Sequence, residues 1–427
     1  MEKVDIVSDA IDLLAMGKTA RAAGRKLARL GTTHKNAALF AIADCLDSNA
    51  AAILAANELD LAAARTKGIG EALIDRLSLQ GKRLAGIIAD VRQVAALPDP
   101  IGEVIETNTL PNGLRLSRRR TALGVLGVIY EARPNVTVDV AALAIKSGNG
   151  VILRGGSETI HSNRMLVDTI HAALSAAGVS PDSVQFIDST DRTYIGDLLK
   201  LHEYVDLIIP RGGQSLHQYC RENSTIPVIT GGMGVNHIYV EPSADQSAAV
   251  RIIHNSKTQR PSACNSLSTL LVHEQIAADF IPQVIEQLGA SGVTFRADPA
   301  ALALSKGDSR VTAADEAAWN TEWLALILGI RVVDGLETAM AHFEMHGTAH
   351  SDAILTQDMT NATRFLNEVD SAAVYVNASL RFTDGGQFGL GAEIAVSTQK
   401  LQARGPMGLR ELTSYKWVIE GDGQIRA

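Results

Sequence analysis

Two hydrophobic periods divide the chain. Up to about residue 100 the apolar positions repeat at helical spacing, and from Leu123 onward short apolar runs alternate with amphipathic segments. In the first part, residues 5–30 and 34–57 read as long Ala-rich helices, with Leu39, Ile42, Cys45, Leu46, Ile53 and Leu54 on one packing stripe. Thr32-Thr33 offers the second helix an N-cap, and a third runs from Glu71 to Val94 before Pro98-Asp99-Pro100 stops it. These helices carry no chemical motif and are expected to cover other elements.

Val104 to Arg120 has a different pattern. Two extended runs flank Pro111-Asn112-Gly113, and Asn-Gly marks a hairpin because both turn residues accept positive φ. A long hairpin has exposed edges that need a partner. Residues 104–121 are therefore expected to pair with another subunit, joined by the tail 391–427 through Tyr415-Lys416-Trp417.

Beyond Leu123, Val125–Tyr130, Val151–Arg154, Val184–Ile187 and Val205–Ile209 read as buried strands. Helices are expected over Val138–Lys146 and Thr159–Ala177, after Asp191 and after Gly213. Such alternation predicts a parallel, doubly wound sheet, whose ligands bind beyond the carboxyl ends of the strands. Two of those ends carry Arg154-Gly155-Gly156 and Arg211-Gly212-Gly213, each a cation and two glycines ahead of a helix. Glycines let a backbone approach a phosphate that the helix N-terminus then faces. Either triplet alone reads as an ordinary turn, and neither is a GxGxxG, but their repetition on one sheet favours a nucleotide site.

A second series follows Gly231-Gly232-Met233-Gly234: strand His237–Val240, a helix, strand 268–272, helix 274–288, strand 330–333, helix 335–346, strand 350–355, helix 358–368 and strand 372–377. Cys264 lies in a polar loop at its beginning. Ser262, Asn265 and Ser266 leave the sulfur approachable, and Lys257 and Arg260 are close enough in sequence to favour the thiolate. Such a cysteine can attack a carbonyl carbon and hold a covalent intermediate; the competing reading is a small buried hydrophobe. The position between glycine-rich segments favours the first. Further on, Gly385, Gly386, Gly389 and Gly391 leave backbone N–H groups to bind an anion or the end of a substrate, unless the segment is only a flexible surface loop.

Composition narrows the classes of function. At 427 residues the chain exceeds one ordinary core, and 46% hydrophobic with 20% charged residues is a soluble globular composition. A net charge of −8 argues against nucleic acid, and the densest basic run is only Arg118-Arg119-Arg120. Cys45, Cys220 and Cys264 are too few and too scattered for a disulfide framework, which fits a reducing cytosol. Met1-Glu2-Lys3-Val4-Asp5 is no apolar leader, and no apolar run approaches the ~18 residues of a membrane helix. The expectation is a cytoplasmic protein with no membrane partner. His237, His254 and His350 lack metal-ligand spacing, so no metal is expected.

Several of these stretches together resemble the gamma-glutamyl phosphate reductases (glutamate-5-semialdehyde dehydrogenases) of the aldehyde dehydrogenase superfamily. They are Gly127–Thr137 (GVIYEARPNVT), Ile209–Gly213 (IPRGG), Ile226–Gly232 (IPVITGG), Thr258–Asn265 (TQRPSACN), Ser371–Ser379 (SAAVYVNAS), Phe382–Gly391 (FTDGGQFGLG) and Val396–Leu401 (VSTQKL). The resemblance runs nearly end to end. It implies an α/β, aldehyde-dehydrogenase-like fold: two doubly wound α/β domains plus a β-hairpin oligomerisation element. Residues 1–103 and 122–229 would form the cofactor-binding domain, 230–390 the catalytic domain, and 104–121 with 391–427 the oligomerisation elements.

The implied activity is NADPH-dependent reduction of L-glutamate 5-phosphate to the semialdehyde, in proline biosynthesis, by a homo-oligomer, with glutamate 5-kinase a candidate partner. Cys264 matches the nucleophile and Asn135 the asparagine that helps hold the oxyanion. Arg154 falls where a lysine touches the adenosine ribose, and a guanidinium there could pair with a 2′-phosphate. Glu158, four residues on, would oppose that phosphate. Glu322 matches the glutamate that bonds the nicotinamide ribose. Asp384, Gly385, Gly386 and Phe388 lie in the segment that holds the amino-acid end of the substrate, and Arg133, Arg260 and Arg381 are candidates for the acyl phosphate and the α-carboxylate. Enzymes that release free acids carry a glutamate where this chain has Ile229-Thr230-Gly231-Gly232. A hydrolytic NAD(P)-dependent aldehyde dehydrogenase and a non-catalytic protein that kept the fold remain the alternatives.

Overall fold

The four buried strand runs form a parallel sheet in the order Val184–Phe186, Gly150–Gly155, Val125–Tyr130, Leu207–Arg211. Every residue of Val125–Tyr130 and of Gly150–Gly155 is buried, as continuous apolar runs require when both faces are covered. The chain builds three strands in one direction, then returns to the other side of Val125–Tyr130. The topological switch point therefore lies between Tyr130 and Arg211, where such sheets bind ligands. This computed structural model describes residues 11–231 and 233–426. One compact unit takes the chain to Thr230 together with Gly389–Ala395 and the segment from Met407; the other takes Gly231–Phe388 and Val396–Pro406.

The N-terminal helices are more broken than their periodicity predicts. The first is Leu13–Leu27, with Asp12 as N-cap accepting from the Ala15 N–H; residues 5–10 of the expected helix lie outside the described residues. The second splits into Thr32–Ser48 and Ala50–Thr66, bent by 69° at Asn49, whose side chain donates to the Cys45 carbonyl (2.8 Å). Leu39, Ile42, Leu46 and Ile53 are buried, while Cys45 is half-buried. Gly31, not Thr32, is the N-cap, and the Thr32 hydroxyl donates to Asp99 instead (3.2 Å).

The third expected helix is Glu71–Leu77 followed by Arg83–Ala96. Its break is held by the buried Asn57, which accepts from the Leu79 N–H (2.9 Å) and donates to the Leu77 carbonyl (2.9 Å). Among the described residues no single helix is long and apolar enough to cross a membrane. The bent pair passes on combined length and composition, but its apolar stripe is buried within this unit.

Val104–Thr109 and Arg115–Ala122 pair antiparallel as expected, and Thr413–Glu420 pairs along the full length of Arg115–Ala122. In the turn only Gly113 takes positive φ (87°); Asn112 uses its side chain to accept the Leu114 N–H (3.2 Å). The basic run is engaged within this sheet. Arg118 pairs with Glu106 (3.2 Å) and lies 4.6 Å from the Tyr415 ring centroid, and Arg120 pairs with Glu103 (2.9 Å).

In the other unit seven parallel strands run in the order Val311–Ala313, Thr294–Ala297, Ile327–Val333, Leu267–His273, Asn236–Val240, Ser351–Leu355, Ala373–Val376. The first two of these are absent from the sequence reading. Helix Glu274–Gly289 buries Phe280, Ile281, Val284 and Leu288 on one face, and Tyr239, Leu271, Phe343 and Phe365 form a core on the other.

A histidine cluster is built into that second core. His237 is fully buried, with Nδ1 2.9 Å from Asp352 Oδ1, and its ring meets His342 edge-on at 5.2 Å. His342 Nδ1 faces the guanidinium of Arg331 (3.0 Å), a group that can only donate, so the imidazole accepts there and is neutral. Burial, with His237, His346 and Arg331 adding, lowers the His342 pKa to about 2. The unfolded chain takes up this proton below about pH 6.5, so stability falls as pH drops from there towards the folded value. Near pH 4.5 the expected loss from His342 is about 2–3 kcal/mol relative to neutral pH. His342→Gln should flatten that part of a denaturant-midpoint-against-pH curve; identical slopes in the two proteins would refute the assignment.

Candidate active site

Cys264 is presented by a loop between helix Gln246–Thr258, N-capped by Asp245, and strand Leu267–His273. Of the three thiols it is the exposed one; Cys220 is buried, and burial with the Glu131 charge pushes its pKa up to about 12. Two turn bonds shape the loop: Ala263 N–H to Arg260 O (3.1 Å) and Ser266 N–H to Ala263 O (3.0 Å). Asn265 and Ser266, expected to leave the sulfur open, are instead buried supports. Lys257 is also buried. Its amine donates to Leu267 O (2.9 Å), joining the end of the helix to the start of the strand across the loop, and burial lowers its pKa to about 7. At neutral pH much of the charge that the sequence offers to the thiolate is therefore lost.

The loop is clamped by backbone and amide groups. Gly234 packs so closely that a Cβ there would stand 1.5 Å from the Cys264 carbonyl oxygen. The Gly234 N–H donates to Glu322 Oε1 (2.9 Å), which brings Glu322 to this constellation. Asn236 donates to the Cys264 carbonyl (2.7 Å), and Asn265 to that of Thr383 (2.9 Å). The Thr383 hydroxyl in turn contacts Ser351 and Tyr375 hydroxyls, each at 2.7 Å. Gly234, Cys264 and Glu322 all precede strands of this sheet, so the constellation lies at its amino ends, opposite to the usual place for ligands in open parallel sheets.

Arg381 joins the same neighbourhood, its Nε donating to Gln259 (2.8 Å); Arg260 and Phe388 are exposed. The loop at Asp384 departs from expectation. Asp384 Oδ1 accepts the N–H groups of Gly386 (2.9 Å) and Gln387 (3.1 Å), and Asp384 O accepts that of Phe388 (2.9 Å). Of the glycine donors predicted to receive an anion, that of Gly386 is thus taken by the loop's own carboxylate. Gly385 is buried within this turn. Gly232 lies outside the described residues.

In the first unit the predicted residues gather at the carboxyl ends of the strands. Arg154 is buried, and its Nη2 donates to the carbonyls of Thr190 (3.4 Å) and Asp191 (3.3 Å). Burial lowers its pKa while Glu158 opposes the shift. Glu158 itself accepts the Ala132 N–H (2.5 Å).

Three of the four turn glycines make room for protein rather than phosphate. A Cβ would meet Asn163 at Gly155, Glu158 at Gly156 and Glu131 at Gly212. Gly213 has open space around it, and its N–H, at the start of helix Gln214–Asn223, donates to Glu131 Oε2 (3.0 Å). A cofactor phosphate would reach this N–H and the neighbouring Arg211 only by displacing that carboxylate, which now occupies the helix N-terminus. Asn135 opens helix Asn135–Lys146 and donates to Asp139 (2.9 Å), whose pKa burial raises to about 6; Arg133 is half-buried just before it.

Gly234 lay within a segment already visible as glycine-rich. Asn236 carries no sequence signal, because it reads only as the start of a strand.

Residues 7–300 match the aldehyde dehydrogenase family. The chain is 58% identical over 413 residues to the gamma-glutamyl phosphate reductase of Pectobacterium carotovorum subsp. carotovorum, covering 96% of this chain and 99% of that one. It is 57% identical over 417 residues to the Aeromonas salmonicida protein of the same name, covering 98% and 100%. The solved gamma-glutamyl phosphate reductase of Thermotoga maritima has a TM-score of 0.95 at 46% identity, over 98% of this chain and 100% of that one. An acetylating aldehyde dehydrogenase from Geobacillus thermoglucosidasius, at 18% identity and TM-score 0.69 over 97% of each chain, shares the fold.

Proposed function

Since the chain belongs to the aldehyde dehydrogenase family, and within it to the gamma-glutamyl phosphate reductases, we propose that this oxidoreductase reduces L-glutamate 5-phosphate to L-glutamate 5-semialdehyde in proline biosynthesis, using NADPH and releasing phosphate. The observation that carries the reading is Cys264: an exposed thiol on a loop whose backbone is fixed from several sides, in a chain whose other cysteines are partly or wholly buried.

The Cys264 thiolate attacks the γ-carbonyl carbon, and the resulting oxyanion is held by backbone N–H groups and Asn135. The carbonyl re-forms as phosphate leaves, giving a thioester. Bound NADPH supplies the hydride that reduces the thioester carbon. The resulting alkoxide on the cysteine adduct then re-forms a carbonyl, expelling the thiolate and freeing the aldehyde. With the cofactor bound, Gly213 and Arg211 would hold a phosphate in place of Glu131, Arg154 would serve the adenosine end, and Glu322 would take the nicotinamide ribose. Arg133, Arg260 and Arg381 serve the acyl phosphate and the α-carboxylate, with the Asp384–Phe388 turn shaping the amino-acid end. Gly155, Gly156 and Gly212 keep a packing role that sets these turns.

The proposal extends to a cytoplasmic homo-oligomer, assembled through the three-stranded sheet and receiving its unstable substrate from glutamate 5-kinase. The reverse reaction tests the chemistry. With glutamate semialdehyde and NADP⁺, NADPH should appear only when inorganic phosphate is present. A signal independent of phosphate would instead fit hydrolysis of the thioester, and no signal at all would fit a protein that kept only the fold.

A further inference from the structure

Asn236 opens strand Asn236–Val240, is fully buried, and has no role in the chemistry so far. Its amide nitrogen faces three carbonyls: Cys264 (2.7 Å), Ser266 (2.8 Å) and Gly234 (3.0 Å). Its oxygen accepts the Ser351 N–H (3.2 Å). The orientation of the amide is thus fixed, because a flip would set its oxygen against three carbonyl oxygens. The Cys264 carbonyl is held twice over, by this donor and by the Gly234 backbone against it. In a planar trans peptide that carbonyl and the next N–H form one rigid unit and point in opposite directions. Holding the carbonyl of Cys264 therefore aims the N–H of Asn265. The Asn265 side chain steadies the same unit through Thr383 O (2.9 Å).

We propose that Asn236 is a positioning residue that fixes the peptide unit between Cys264 and Asn265, so that the Asn265 N–H is presented to the oxyanion formed when Cys264 is acylated. The inference rests on Cys264 being the nucleophile. In that step the sulfur–carbon bond forms and the carbonyl π pair moves to oxygen. The leaving group then departs with its electron pair as the carbonyl returns. A donor already in place stabilises the charge without reorganising.

Two reagents on the intact protein separate this role from simple structural support. p-Nitrophenyl acetate acylates the thiolate through an oxyanion, giving a thioester and p-nitrophenolate. Iodoacetamide alkylates it by direct displacement of iodide, with no oxyanion. Asn236→Ala removes all four contacts. Asn236→Leu keeps the size but has no donor for the carbonyls, so it serves if the cavity left by alanine prevents folding.

Measured on the Cys264 peptide, each variant should acylate about 10²-fold more slowly while its alkylation rate stays within about threefold of wild type. A ratio of acylation to alkylation unchanged from wild type, whether both rates fall together or neither does, overturns the proposal. Wild-type protein that iodoacetamide modifies but the ester does not acylate would remove the nucleophile reading, and this inference with it.

Discussion

Cys264→Ser is expected to lower kcat at least about 10³-fold, with the unfolding transition left where it was. A serine hydroxyl is the weaker nucleophile, and a far smaller fraction of it ionises at neutral pH than of an ordinary thiol. The exchange is nearly isosteric at an exposed position, so little packing is lost. Neither remaining thiol can substitute: Cys45 packs on a helix and Cys220 is buried, its thiol pushed up to about 12. The check is steady-state turnover together with mass spectrometry of quenched reactions. A covalent adduct should appear on wild-type protein and be absent from the variant. Turnover retained by the serine protein would end the covalent mechanism.

Gly234→Ala is expected to be as damaging by a different route. The new methyl would lie 1.5 Å from the Cys264 carbonyl oxygen and 2.6 Å from its carbon, both backbone atoms that cannot swing aside. Either the loop carrying Cys264 or the segment leading into Asn236–Val240 must move, and either shift breaks the Asn236 and Glu322 bonds. We expect a loss of about 3 kcal/mol or more in stability, or at least a 10²-fold loss of activity where the chain still folds. Gly213→Ala is the control. Nothing lies within 4 Å of a Cβ there, and the substitution at a helix N-cap should cost no more than about 1 kcal/mol. Calorimetry on both variants decides the matter, and a Gly234 variant as stable and active as wild type would mean that the close contact is not maintained.

What the sequence disclosed follows from which interactions are local. Val125–Tyr130 is buried at every position, so its continuous apolar run was legible as a strand. Thr294–Ala297 and Val311–Ala313 are short, partly exposed and at one edge of their sheet, and they left no such run. The helix breaks at Asn49 and after Leu77 involve no proline. The second depends on Asn57 reaching across to Leu77 and Leu79, which periodicity cannot see.

The site shows the same division. Cys264 was legible from its polar surroundings and its place among glycine-rich segments. The reason for Gly234, a carbonyl far along the chain, and the whole role of Asn236 are contacts made only on folding. Residue type also misleads where burial intervenes. Lys257 reads as a cation beside the thiol, yet burial lowers its pKa to about 7. The glycine-rich stretch at Asp384 reads as an empty anion cradle, yet the Asp384 carboxylate already takes the N–H groups of Gly386 and Gln387.

The order of segments along the chain has a consequence for biosynthesis. The first unit is left at Thr230 and resumed only at Gly389, and its buried Asn149 takes as acceptor the carbonyl of Leu412 (2.8 Å). A ribosome releases residues in order, and domains fold as they emerge. All seven strands of the second unit are translated before that closing segment is begun. The half made first is therefore finished last, and a nascent chain stopped short of Leu412 should hold an N-terminal sheet that remains a chaperone client.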